Sequence, residues 1–189
     1  MKFKQLILVV ASAAILQGCI AVAGVAVVGG AAVATDKRTL GKQIDDQGIE
    51  LDAYNQLAEN KSLKSQSNIS VISMNASLLI IGQVPTPHLK SEAMKILNNI
   101  KGVEQVHDHL RIGNPIAVTT KTNDAWLTTK IKAKLFSSDK FDATNVKVVT
   151  ENAEVFLLGL VSEANASEAV EITRNVAGVS RVYKMFEYQ

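Results

Sequence analysis

The chain has 189 residues, 47% of them hydrophobic, with 20 Lys+Arg against 18 Asp+Glu. That length holds one ordinary domain or two small ones, and the apolar content excludes a mostly disordered chain. A single cysteine excludes an internal disulfide framework and a Cys-rich zinc site.

The first elements concern location. Met1-Lys2-Phe3-Lys4 is a short basic stretch, and residues Leu6 to Leu16 form an apolar run with small residues. Leu16-Gln17-Gly18-Cys19 follows, which reads as a secretory signal over residues 1–18 ending in a bacterial lipobox. The Cys19 thiol would take a diacylglyceryl group and the new amino terminus a further chain, enough for stable anchoring. A transmembrane helix is the rival reading, because no charge occurs between Lys4 and Asp36. Gln17-Gly18 interrupts that run, and the sole cysteine falls where a lipobox needs it. Ile20, rather than Asp, after the cysteine favours the outer membrane, with the body in the periplasm. Residues 19–40 are read as the lipidated terminus and its tether, lying on the bilayer or serving as a plain spacer. Cleavage also removes Lys2 and Lys4, which leaves a charge-balanced body and argues against nucleic acid as a partner.

The remainder is one unit used twice. Val71 to Gly82 matches Val148 to Gly159 at a constant offset, with Asn75-Ala76 facing Asn152-Ala153. Further on, Gly102-Val103 faces Gly178-Val179, and upstream Asp46-Gln47-Gly48-Ile49 faces Asp124-Ala125-Trp126-Leu127. The units span residues 41–114 and 123–189, with 115–122 as linker.

Each unit opens on a helix, predicted over 45–59 and 124–137. In the second, Leu127, Ile131 and Leu135 recur at helical spacing. Two strands follow, joined by a turn at the Asn-Ala pair. A second helix comes next, near 89–100 and 164–176, with Gly102 and Gly178 placed as left-handed caps. A last strand carries Val106, Leu110 and Ile112, or Val182, Phe186 and Tyr188. The fold class is α+β. Each α-β-β-α-β unit has a three-stranded mixed sheet with two helices on one face. The other face carries Ile72, Met74, Leu79 and Ile81 in the first unit. In the second it carries Val149, Phe156, Leu158, Tyr183 and Met185. These faces meet each other, bind a partner, or pair in a homo-oligomer.

The helix that opens the second unit holds the candidate site. Trp126, Lys130 and Lys134 form a stripe beside the core positions, with Lys132 flanking and Leu135 supporting from the core. An indole beside ammonium groups suits an anionic lipid surface. The plain alternative is a half-buried Trp126 on a helix solubilised by lysines. Charge is polarised too: residues 121–147 are lysine-rich, and 151–171 carry glutamates without a basic residue.

Other signals are weaker. His107 and His109 share a strand face, but two histidines without a further ligand do not make a metal site. They are placed against the other sheet. Pro85-Thr86-Pro87 reads as a strand-to-helix turn. No motif positions a nucleophile or cradles a phosphate, so the expected role is binding, without catalysis, metal or cofactor.

These residues carry a family resemblance. The repeated unit resembles the BON domain, and two units behind a lipobox resemble the dual-BON outer-membrane lipoproteins. The most specific pieces are Leu16-Gln17-Gly18-Cys19, Asp124 to Lys130, Asn145 to Leu157, Gly159-Leu160-Val161 and Gly178-Val179. The resemblance implies an anchored periplasmic protein supporting outer-membrane integrity. It implies binding of anionic phospholipid, notably phosphatidylglycerol, through the first helix of the second domain. It also implies enrichment at division sites and association with the β-barrel assembly machinery. The first unit departs from the lipid-binding pattern, with Asp52 opposite Lys130 and Ala53 opposite Ile131. The alternative is a membrane-tethered protein–protein adaptor without lipid recognition of its own.

Overall fold

The computed structural model describes residues 40–139 and 142–188. Cys19, the signal and the tether lie outside the described residues. Thr35–Gln189 form one compact unit. Among the described residues, three apolar clusters form within it.

The first repeat runs α1 (Leu40–Glu59), α2 (Lys61–Gln66), β1 (Asn68–Met74), β2 (Ser77–Val84), α3 (Pro87–Leu97) and β3 (Gln105–Ile112). The second runs α4 (Val118–Phe136), a 3-10 turn (Ala143–Asn145), β4 (Lys147–Glu151), β5 (Glu154–Val161), α5 (Glu163–Arg174) and β6 (Arg181–Tyr188). In each sheet the middle strand pairs antiparallel with the strand before it and parallel with the strand after it. The mixed sheet expected from the β-α-β step is therefore present twice.

The helices bury one face by ordinary periodicity. Ile49, Ala53 and Leu57 on α1 and Leu127, Ile131 and Leu135 on α4 occupy equivalent buried positions. Thr86 caps α3 by accepting the N–H of Leu89 at 3.2 Å, with Pro87 in the first turn. Ser162 does the same for α5 through Asn165.

Three local features differ from the expectation. The short helix α2 was not foreseen; Asn60 caps it, and its buried Leu63 joins the first core. Helix α4 begins at Val118, inside the stretch read as linker. Its first residues face outward and show no apolar period. Finally, α3 ends at Leu97, and its cap residue Asn98 is right-handed. Gly102 and Gly178 do have positive φ (84° and 106°). However, Gly102 serves the turn into β3 and not the helix cap, because the chain needs several residues to reverse before the parallel strand.

The hairpin turns are the tightest points. Asn75 and Ala76 have φ of 51° and 64°, and Asn152 and Ala153 have 50° and 62°. Two consecutive positive φ values match the twist of the flanking strands. Alanine enters that region reluctantly, because its Cβ crowds the following carbonyl. A buried carboxylate offsets the cost in each unit. Asp46 accepts the N–H groups of Asn75 and Ala76 at 2.9 and 3.0 Å. Asp124 accepts those of Asn152 and Ala153 at 2.7 and 2.8 Å.

The two second faces meet each other. Met74, Leu79 and Ile81 pack with Phe156 and Leu158, joined by the partly buried Ile72, Val149, Tyr183 and Met185. Of the three outcomes open from sequence, pairing within the chain is the one adopted. Polar contacts rim this seam. Arg111 pairs with Glu154. Gln83 donates to Glu151 at 2.6 Å and Asn75 to Glu187 at 2.8 Å. His109 lies in the seam as expected, edge-on to Phe156 and Tyr183 at 4.9 and 4.5 Å between ring centroids. Burial pushes its pKa below the ordinary 6.5, with His107 and Arg111 adding to the push while Glu154 and Asp108 oppose it. With sheets inside, the two helix layers lie on the outer sides of the pair.

Candidate functional site: the outward face of helix α4

Helix α4 turns its core stripe inward and leaves a second stripe outside. Trp126 is 62% exposed although it is the largest side chain on the helix. Lys130 lies one turn on, with Nζ 4.7 Å from the indole centroid. That is a cation–π contact, which holds ammonium and ring as one unit. Lys130 also reaches the carbonyl of Ala177 at 3.5 Å. Lys134 continues the row and is exposed. The predicted stripe of Trp126, Lys130 and Lys134 is therefore assembled on one side of the helix.

Lys132 and Leu135 stand off that row, as the helical spacing implies. Lys132 is exposed but is displaced from Trp126 by about 120° around the helix. It borders the opposite margin of the outer stripe. Leu135 is only 1% exposed and belongs to the core. It supports the helix from below and offers no surface. The apolar side chain that does face out is its neighbour Phe136, 61% exposed. Val118, at the start of the helix, is also exposed. Sequence reading missed both. Phe136 carried a usable signal: it lies one position past a core residue, hence about 100° off the buried stripe.

The outer stripe is thus apolar or small in the middle and cationic at its margins. Trp126 and Phe136 lie about 80° apart on the helical wheel, with Thr129 and Ala133 between them. Lys130 and Lys134 border one side and Lys132 the other. Such a surface can lie along a bilayer, with rings at the headgroup level and ammonium groups against anionic heads. Among the described residues no helix is long and apolar enough to cross a membrane.

Beside Trp126 is a cleft of about 280 Å3 lined by Asn123, Asp124, Leu127, Ala153 and Gly178. Its floor is the Asp124 turn lock. The first unit has the equivalent cleft on α1, about 610 Å3, bounded by Ile44, Gly48, Asp52, Ala76 and Gly102. Gly48 stands where α4 has Trp126, and Asp52 where α4 has Lys130, so the stripe is not duplicated.

The BON domain model matches residues 45–114 and 123–189. Outer membrane lipoprotein DolP of Haemophilus influenzae is 38% identical over 98% of this chain and 96% of its own length. The 21 kDa hemolysin of Actinobacillus pleuropneumoniae is 39% identical, over 81% of this chain and 79% of that protein. Osmotically-inducible protein Y of Escherichia coli is 31% identical over 81% of this chain and 77% of its own.

Proposed function

The chain belongs to the BON-domain family, and from that premise we propose that it is an outer-membrane lipoprotein that binds anionic phospholipid through α4. Cys19 carries the anchor after removal of residues 1–18, and the body, with domains at 41–114 and 123–189, sits in the periplasm. Its role is binding and organisation without catalysis. It supports the integrity of the outer membrane, at division sites and beside the β-barrel assembly machinery.

One observation carries the lipid reading. A tryptophan that could have been buried stands exposed on α4, in contact with Lys130 and bordered by Lys134. Leaving an indole in water forfeits much of the gain from burying an aromatic side chain. Inserting it at a headgroup layer recovers that gain, and each juxtamembrane lysine adds about 1 kcal/mol on an anionic surface. The anchor raises the local concentration of the helix at the bilayer, so a weak site suffices.

The test is cosedimentation of residues 35–189 with phosphatidylglycerol-containing vesicles and with purely zwitterionic ones. The expected result is binding to the anionic vesicles alone, lost in Trp126→Glu with the thermal transition unchanged. Failure of the unaltered body to bind either vesicle overturns lipid recognition and leaves the tethered adaptor reading.

A further inference from the structure

We infer that the cleft on α1 is a docking site for a protein segment that presents an aromatic side chain beside a lysine or arginine. The occupant is read from the chain's own second copy. In the second unit the equivalent place is narrowed from within: Trp126 lines the cleft, which is about 280 Å3, and Lys130 lies 4.7 Å from its ring. In the first unit both positions are reversed in character. Gly48 supplies no side chain, and a Cβ built there meets nothing within 4 Å. Asp52, one turn on and exposed, supplies a carboxylate in place of the ammonium. The result is an open cleft of about 610 Å3 whose lining carries Asp45, Asp46, Asp52 and Glu104 against Lys42 and Lys101, so carboxylates are in excess. An incoming aromatic ring would occupy the space that the indole covers in the sibling unit, and its basic neighbour would meet Asp52.

The rest of the helix face fits the same partner. Leu40, Ile44 and Leu51 lie within about 40° of one another on the helical wheel, opposite the buried stripe. All three are exposed, Ile44 at 68%. A row of Asp45, Asp52 and Glu59, each seven residues from the next, borders them on one side. Apolar ridge and acidic row together match an amphipathic segment with basic flanks. They do not match an anionic bilayer, which the carboxylates would repel. The layering adds to this: α1 and α4 belong to opposite outer layers. A surface bound by α4 leaves the outward stripe of α1 directed elsewhere. The inference does not depend on what α4 binds.

The experiment uses the isotope-labelled body, residues 35–189, and follows its amide resonances. The probe is a synthetic helical peptide of leucines and lysines with one central tryptophan. Saturable shifts are expected along α1 and at Asn75-Ala76. Gly48→Trp, which fills the cleft as Trp126 does in the sibling, should abolish them. Asp52→Lys should weaken binding at least tenfold, and an otherwise identical peptide with glutamates for lysines should leave the spectrum unmoved. Ile44→Glu, fully on the outer side, gives the same reading should Gly48→Trp disturb the fold. Absence of shifts, shifts confined to α4, or peptide binding indifferent to Gly48→Trp, Ile44→Glu and Asp52→Lys would overturn the proposal. So would displacement of the α1 resonances by lipid vesicles alone, which would make the face a membrane contact.

Discussion

The carboxylate of Asp124 accepts the backbone N–H of Ala153 at 2.8 Å, joining the first turns of α4 to a hairpin 29 residues away. Asp46 makes the same contact with Ala76 in the first unit. Each aspartate is buried, and each holds a turn whose alanine has φ above 60°. Helix, hairpin and cleft floor are thereby fixed to one another. Asp124→Ala removes the acceptor of two part-buried backbone donors and should cost about 1.5–3 kcal/mol, the usual contribution of a hydrogen bond to a charged acceptor. Urea unfolding of the body checks this. Asp124→Asn, which keeps one acceptor, should lose less.

Leu135 and Phe136 are adjacent and should fail in different ways. Leu135→Ala opens a cavity in the second core and should cost about 2–5 kcal/mol of stability. Phe136→Ser touches only the surface and should leave the unfolding midpoint nearly unchanged while weakening vesicle binding severalfold. Parallel unfolding and cosedimentation of the two variants separate the outcomes. Equal loss of stability in both would contradict the placement of Phe136 outside the core.

Gly82 admits no side chain. A Cβ there would lie 1.9 Å from the carbonyl oxygen of Asn68 on the neighbouring strand, and its φ of 121° is foreign to L-residues. Gly82→Ala should therefore push β1 away from β2 and unfold the first unit at markedly lower denaturant. Gly48→Ala, in open space on a helix, should be neutral or stabilising. Circular dichroism melts of both variants decide the contrast.

His109 makes the seam between the sheets sensitive to acid. Its folded pKa is held below the ordinary 6.5, chiefly by burial, so the unfolded chain binds the proton more readily. Stability from this group is complete above about pH 6.5 and is lost as the pH falls through the lower folded value. His109→Phe, which keeps an aromatic ring against Phe156 and Tyr183, should flatten the pH dependence of the unfolding midpoint between about pH 5 and 7. An unchanged slope would show that other groups carry it.

The first unit should accept the second unit's chemistry. Gly48→Trp with Asp52→Lys rebuilds on α1 the ring and ammonium of Trp126 and Lys130. In a Trp126→Glu background that pair should restore part of the binding to anionic vesicles. Cosedimentation reads the gain directly, and no gain would mean that the lysine margins of α4 matter more than its tryptophan.

Much of this fold is legible in the sequence. The repeat, the mixed sheets and both hairpin turns follow from strand-length apolar runs and the recurring Asn-Ala pair. Alternation assigned the seam correctly at every position: Ile72, Met74, Leu79 and Ile81 against Val149, Phe156, Leu158, Tyr183 and Met185. What escaped has physical reasons. Helix α2 buries a single leucine, too little for a period. The first turns of α4 face water and show no apolar pattern. Asp46 and Asp124 look like ordinary polar surface in sequence; they recur 29 and 28 residues before the hairpin asparagines, and spacing alone does not say that their carboxylates turn inward. At the site, the stripe of Trp126, Lys130 and Lys134 was readable from helical spacing. Leu135 was placed in the core by the same spacing and lies there; Phe136 was missed, because periodicity says which residues face the core more readily than which neighbour is left outside.

The connection between the two sheets has a kinetic consequence. From Ile112 to Val118 the chain has only residues 113–117 to spend. They are pinned at both ends: Gly113 donates to the carbonyl of Val84 at 2.8 Å, and Ile116 to the Gln83 side chain at 3.1 Å. A seam that opened would leave its halves at a very high local concentration of each other, so it would reclose without searching. Dilution cannot separate them. A protein held at a membrane surface can thus carry two large apolar sheet faces that find each other within one chain.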